Sequence, residues 1–136
     1  MAITTTFTNE ILSCLHPTSA TKTIGTKTIT YPISVRLMTS NGNAASAGTE
    51  LASGGSYVAT TGISTGANWA AASSGSQSTN AAVSQANMPA ATVVGIELWD
   101  NSGTPQRLEY GSMTSKTTQA GDTLTFTSGA ITSAIS

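Results

Sequence analysis

Apolar residues recur at helical spacing near the start of the chain. Phe7, Ile11 and Leu15 fall on one stripe with Leu12 beside it, which predicts a short helix. Thr8 is placed to cap it, with Asn9 and Glu10 in the first turn. Phe7 and Leu12 then stand at the two positions of a hydrophobic staple. Pro17 ends the helix, because the residue before a proline is pushed out of helical backbone. A helix of about two turns is unstable alone in water. The stripe Phe7, Ile11, Leu12 and Leu15 is therefore expected to dock on the body or on a neighbouring subunit.

From residue 27 the period changes from helix to strand. Ile29, Tyr31, Ile33, Val35 and Leu37 alternate with Thr28, Thr30, Pro32, Ser34 and Arg36, the pattern of a half-buried strand. Pro32 lacks a ladder donor, so this strand is expected at an edge or with a bulge. Weaker strands are predicted at residues 56–61, 68–72 and 77–83. The most apolar runs from 92 to 99, with Val94, Ile96 and Leu98 on one face and Val93, Gly95, Glu97 and Trp99 on the other. Asn101-Ser102-Gly103 reads as a hairpin turn into a strand over 107–113. Ala120-Gly121-Asp122 turns the chain into 123–127, and a last strand follows at 130–135.

Short strands separated by turns, with no helix between them, predict an all-β fold: an antiparallel β-sandwich, jelly-roll or Ig-like, of ~7–8 strands with one short N-terminal helix. The division expected is residues 1–26 as helix and docking segment and 27–136 as the β-sandwich domain. Residues 44–55 and 64–68, rich in small residues, read as loops.

Charge changes the picture more than any motif. Only 8% of the 136 residues are charged, the net charge is -1, and Ser plus Thr make up roughly a third of the chain, well above ordinary usage. A surface with so little charge has weak protection against association, so it is expected to be covered by copies of itself or by a larger partner. Lys22, Lys27, Arg36, Arg107 and Lys116 are scattered. They form no basic stripe, so no nucleic-acid partner is expected. No apolar run approaches a membrane span, so no membrane is expected either. Residues 1–6 have neither a basic nor a continuous apolar signal region, and Cys14 is the single cysteine, both in keeping with production in a cytoplasm.

Candidate chemistry is sparse. Cys14 and His16 sit two apart at a helix end and point in different directions, so they read as structural. Glu97 and Asp100 read as a solvated strand terminus. Glu97 and Glu109, on adjacent hairpin strands, could imitate a glycosidase pair, an arrangement whose geometry is too demanding to be the first reading. Trp69, Trp99, Tyr31, Tyr57 and Tyr110 could make a sugar platform, although aromatic residues in a thin β core are more often core. The expectation is therefore no enzyme, no metal and no cofactor.

The order of segments carries a resemblance. Tyr31-Pro32-Ile33-Ser34-Val35-Arg36-Leu37 is followed by Gly48-Thr49-Glu50-Leu51 and Gly54-Gly55-Ser56-Tyr57, then by Asn68-Trp69-Ala70-Ala71-Ala72, Asn80-Ala81-Ala82-Val83 and Met88-Pro89-Ala90-Ala91. Val94-Gly95-Ile96-Glu97-Leu98-Trp99-Asp100 leads to Tyr110-Gly111-Ser112-Met113 and Gln119-Ala120-Gly121-Asp122-Thr123-Leu124-Thr125-Phe126. This resembles a family of small tailed-bacteriophage virion proteins that spans tail fibre and capsid decoration proteins. The resemblance implies a structural protein of the virion, assembled in the host cytoplasm. Its first implied role is capsid decoration (cement or head protrusion), with the major capsid protein and itself, as a homotrimer, for partners. The alternative is a tail-tip or tail-fibre component that meets a host glycan through Trp69 or Trp99.

Overall fold

A computed structural model describes residues 2–135; Met1 and Ser136, the outer ends of the two expected segments, lie outside the described residues. Helix α1 runs over Thr5–Leu15. It is followed by β1 Lys22–Ile24, β2 Lys27–Ile29, β3 Ser34–Ser40, β4 Thr49–Glu50, β5 Ile63–Ser64 and β6 Ser76–Ser78. The chain continues through β7 Val83–Gln85, β8 Ala91–Trp99, β9 Arg107–Thr118, β10 Leu124–Phe126 and β11 Thr132–Ala134. The fold is all-β with a single short helix, and every strand pair is antiparallel.

Strands β4, β3, β8 and β9 lie side by side, with β5 also on β3, making one five-stranded sheet. The other strands form three two-stranded pieces, β1–β2, β7–β10 and β6–β11. The β1–β2 hairpin spans residue 26, where the two expected segments meet. One face of the five-stranded sheet supplies Val35, Leu37, Ile63 and Leu98 to the core, and Tyr57, Trp69, Met88, Leu124, Phe126 and Ile131 close over them. Each fully buried side chain of this size contributes about 1.5–3 kcal/mol.

Several predicted elements are corrected. The helix is capped by Thr4, whose hydroxyl accepts from Phe7 N at 3.4 Å. Thr8 is not the cap; it lies inside the helix and donates to Thr5 O. Any threonine in the run from Thr4 to Thr8 can cap, and the start is set by where the helix can bury Thr8 and Leu12. Phe7 therefore stands outward at 58% exposure, and no staple forms. Leu12 is fully buried, while Ile11 and Leu15 are half-buried.

The single strand predicted over 27–37 is two strands. The chain breaks around a cis Tyr31–Pro32 bond, and Asp100 Oδ2 takes Thr30 N while Thr30 O accepts from Asn101 N. Beyond the break, β3 is central and buried on both faces from Ser34 to Met38, so Arg36 is not solvated. Residues 56–61 and 68–72 form turns and isolated bridges, not strands, because their backbone is held by local bonds such as Tyr57 N to Gly54 O. Eleven strands among the described residues stand where about seven or eight were expected; eight of them are only two or three residues long, while β9 runs to twelve, beyond the 107–113 expected.

The two pieces β4 and β5 leave a gap along the outer side of β3. Tyr57 fills it: its hydroxyl accepts from Leu37 N at 3.0 Å and donates to Glu50 Oε1 at 2.9 Å. Burial pushes this phenol well above its ordinary pKa, so it remains a donor to the carboxylate.

Candidate functional site

The face of the five-stranded sheet opposite the core is built from charge and aromatic rings. Side chains of directly paired residues share a face. The pairs Arg36–Glu97, Met38–Glu50, Glu97–Tyr110 and Trp99–Arg107 therefore bring four of the chain's eleven charged residues together. The Arg36 guanidinium lies 4.0 Å over the Trp99 ring and 3.7 Å from Glu50. Trp99 Nε1 donates to Glu97 Oε2 at 3.1 Å. Arg107 Nη1 donates to Glu97 Oε1 at 3.1 Å, and the same guanidinium lies 5.3 Å from the Tyr110 ring. Arg36 Nε is buried without a hydrogen-bond partner among the described residues.

A loop seals one end of this array. Arg107 donates to the carbonyls of Asn43, Ala44 and Ser46, and Gly48 N donates to Glu97 Oε1 at 2.8 Å. Gly42 and Gly48 are required here, since a Cβ on either would strike backbone of the same loop or Glu97 itself. Beside the loop, a hollow on the sheet is lined by Met38, Asn41, Gly42, Tyr110 and Ser112. Tyr110 is half exposed and Trp99 partly so.

The reading of Glu97 and Asp100 as a solvated terminus is overturned, since each is 1% exposed. Asp100 organises the hairpin by accepting from Thr30 N, Ser102 Oγ and Gln106 N. Glu97 and Glu109 are not a carboxylate pair. Glu97 sits opposite Tyr110, and Glu109 opposite Leu98, so they project to opposite faces of the sheet.

Trp69 is 3% exposed and belongs to the core. Its ring stacks on His16 at 3.9 Å, and its Nε1 donates to Thr65 Oγ1. His16 is buried with Nδ1 at 3.0 Å from Gln77 Oε1. Because the Gln77 amide donates to Ala70 O, its oxygen is the acceptor and Nδ1 carries the hydrogen. His16 Nε2 lies 3.2 Å from Glu109 Oε1, off the line of a good hydrogen bond. Burial opposes ionisation of Glu109, but the adjacent imidazole and the Ser133 hydroxyl hold its carboxyl below the ordinary range. Ser133 bonds the carboxylate and not the imidazole, so these three groups do not form a nucleophile–base relay. Cys14 is half-buried and makes no such device with His16.

Of the residues singled out in the sequence as candidate chemistry, Trp99, Tyr110 and Glu97 lie on the charged face. Arg36, Arg107 and Glu50 join them. A signal was present: in a chain with so few charges, Arg36 and Glu97 each interrupt a strongly apolar strand. Among the described residues, no three His, Cys, Asp or Glu side chains gather as a metal-ligand set, and no helix is long and apolar enough to cross a membrane.

The structure defines an all-β protein with one short helix and a sheet face that carries charge and aromatic rings. The family described as podophage GP4 fiber I protein gp80 matches residues 2–134. The chain belongs to that family and is a phage virion protein of fibre type. No curated protein and no solved structure matches it.

Proposed function

We propose that this chain is a non-enzymatic fibre subunit of a podophage and that its charged sheet face meets a host-surface glycan. The observation that carries this reading is the grouping of the exposed Tyr110 with the partly exposed Trp99, Arg107 and Glu50 on one face of the sheet, over the buried Arg36. Sugars are bound by C–H faces stacked on aromatic rings and by hydroxyls paired with charged groups, and this face offers both, already held in place. Tyr110 is the accessible ring; Trp99 supplies the floor with one side under Arg36.

The test is titration of the purified protein with polysaccharide from the host surface, followed by tryptophan fluorescence and calorimetry. Saturable binding that Tyr110→Ala abolishes, with the circular dichroism spectrum unchanged, supports the reading. Equal binding by Tyr110→Ala, or none by the wild type, overturns it.

Capsid decoration is the second reading, with the major capsid protein as partner and a trimer as the unit. Its support is the low charge of the whole surface together with Ile3 and Phe7, exposed at 54% and 58% at the N-terminal end. Copy number per particle separates the two. A ratio near that of the major capsid protein favours the head, and a few copies favour a fibre on the tail.

A further inference from the structure

The outer edge of β9 is an unpaired strand edge whose orientation follows from the register of the whole sheet. Leu37 turns its N–H and C=O away from β8, donating to Tyr57 Oη and accepting from Leu51 N. Leu37 stands opposite Ile96, and Ile96 opposite Gly111. In an antiparallel ladder, successive residues point their backbone groups to alternate sides. Ile96 thus bonds toward β9, and Gly111 bonds back toward β8. The N–H and C=O of Tyr110 and Ser112 therefore point outward, where nothing among the described residues bonds them. Tyr110, Gly111 and Ser112 are all exposed.

We infer that two copies of this chain pair through this edge, antiparallel, about a twofold axis at Gly111. Free backbone groups of this kind select an extended strand as the partner. The sequence of β9 makes the strand its own complement. With Gly111 facing Gly111 of the other copy, Tyr110 faces Ser112 and Glu109 faces Met113, so no like charges meet. Apart from its two chain neighbours, no heavy atom lies within 4 Å of where a Gly111 Cβ would stand, so a side chain is tolerated at the axis. Register shifts on either side, between Leu98 and Trp99 and between Val93 and Gly95, bend β9 beyond this segment. They confine regular pairing to a few residues, so the contact closes at two copies and does not propagate along the strand.

The inference does not depend on glycan binding, but it bears on it. Pairing about an axis normal to the sheet puts the charged faces of both copies on the same side, with the two Tyr110 rings flanking the axis.

The experiment uses the full chain with Cys14→Ser, to which Gly111→Cys or Thr117→Cys is added. Opposed residues at a non-hydrogen-bonded antiparallel site lie within disulfide reach. Gly111→Cys should oxidise to a covalent dimer on a non-reducing gel, and Thr117→Cys should not. In parallel, the unmodified chain should sediment as a concentration-dependent dimer. Ser112→Pro, which removes an outward N–H and spares the bond from Gly111 to β8, should be monomeric with an unchanged far-ultraviolet spectrum. A chain that stays monomeric at its highest soluble concentration overturns the inference. So does a dimer that survives Ser112→Pro, or one that Gly111→Cys fails to cross-link. Glycan titration of the monomeric variant then scores the binding reading separately.

Discussion

Glu97 and Arg107 meet across the β8–β9 pair at 3.1 Å, with the Glu97 side chain 1% exposed and that of Arg107 15% exposed. The two partners are not equivalent. Removing the guanidinium leaves a carboxylate buried without its cation and frees three loop carbonyls. Removing the carboxylate charge leaves a guanidinium that still reaches water and still holds the loop. Arg107→Ala is expected to cost about 3–5 kcal/mol, the range for a broken buried pair, and Glu97→Gln clearly less. Chemical denaturation measures both, and faster hydrogen exchange over residues 43–48 should accompany Arg107→Ala alone.

Tyr57 stands in for a missing strand residue along β3. Tyr57→Phe keeps the ring in the core but leaves Leu37 N without its partner and removes one bond to Glu50. The expected loss is about 1–3 kcal/mol, the cost of an unsatisfied buried donor. A loss within a few tenths of a kcal/mol of zero would show that water replaces the hydroxyl.

Glu109 gives the protein an acid-sensitive contact. Its carboxyl is held below the ordinary range in the folded chain, whereas the unfolded chain titrates near the usual value of about 4.3. Below that value the unfolded state takes up the proton first. The stabilisation is therefore complete above it and is lost as pH falls through the folded-state pKa. Melting temperatures from pH 7 to pH 3 should fall more steeply for the wild type than for Glu109→Gln, which has no carboxylate at this position to protonate. Parallel curves would assign the acid response to other carboxylates.

Gly55 has φ +57, and a Cβ there would collide with the carbonyl of Asn87, which accepts from Ser56 N at 2.8 Å. Gly55→Ala combines left-handed backbone with a backbone clash, and it should reduce soluble yield sharply or prevent folding. Gly103→Ala, in open space and without a positive φ, should melt within about 1 kcal/mol of the wild type. Thermal melts of the two side by side provide the check.

The sequence carried much of this fold, for reasons visible in particular residues. Alternation over residues 92–99 marked β8 because apolar side chains at period two have one stable use, a strand. Pro17 marked the end of α1, and Asn101-Ser102-Gly103 marked the turn before β9. The start of the helix was not legible, because Thr4, Thr5, Thr6 and Thr8 all cap by the same chemistry. Trp69 and Trp99 were indistinguishable in sequence; one became core by stacking on His16, 53 residues earlier in the chain, and the other became part of a sheet face through Arg36.

Local pattern thus determined the class of fold, the poverty of charge and the order of segments that places this chain among phage virion proteins, since each depends only on residue type and spacing. Tertiary structure decided where the few charges went. Alternation suggested that Arg36 faces solvent, but a polar residue is outside only if its face of the sheet is uncovered. Here that face carries Glu97, Glu50 and Trp99 on neighbouring strands, and the register that aligns Glu97 and Trp99 with Arg36 is set by contacts more than fifty residues apart in sequence. The same register turns Tyr110 and Ser112 outward and Gly111 inward. No local pattern encodes it, because backbone direction at an edge depends on how every strand before it has been paired.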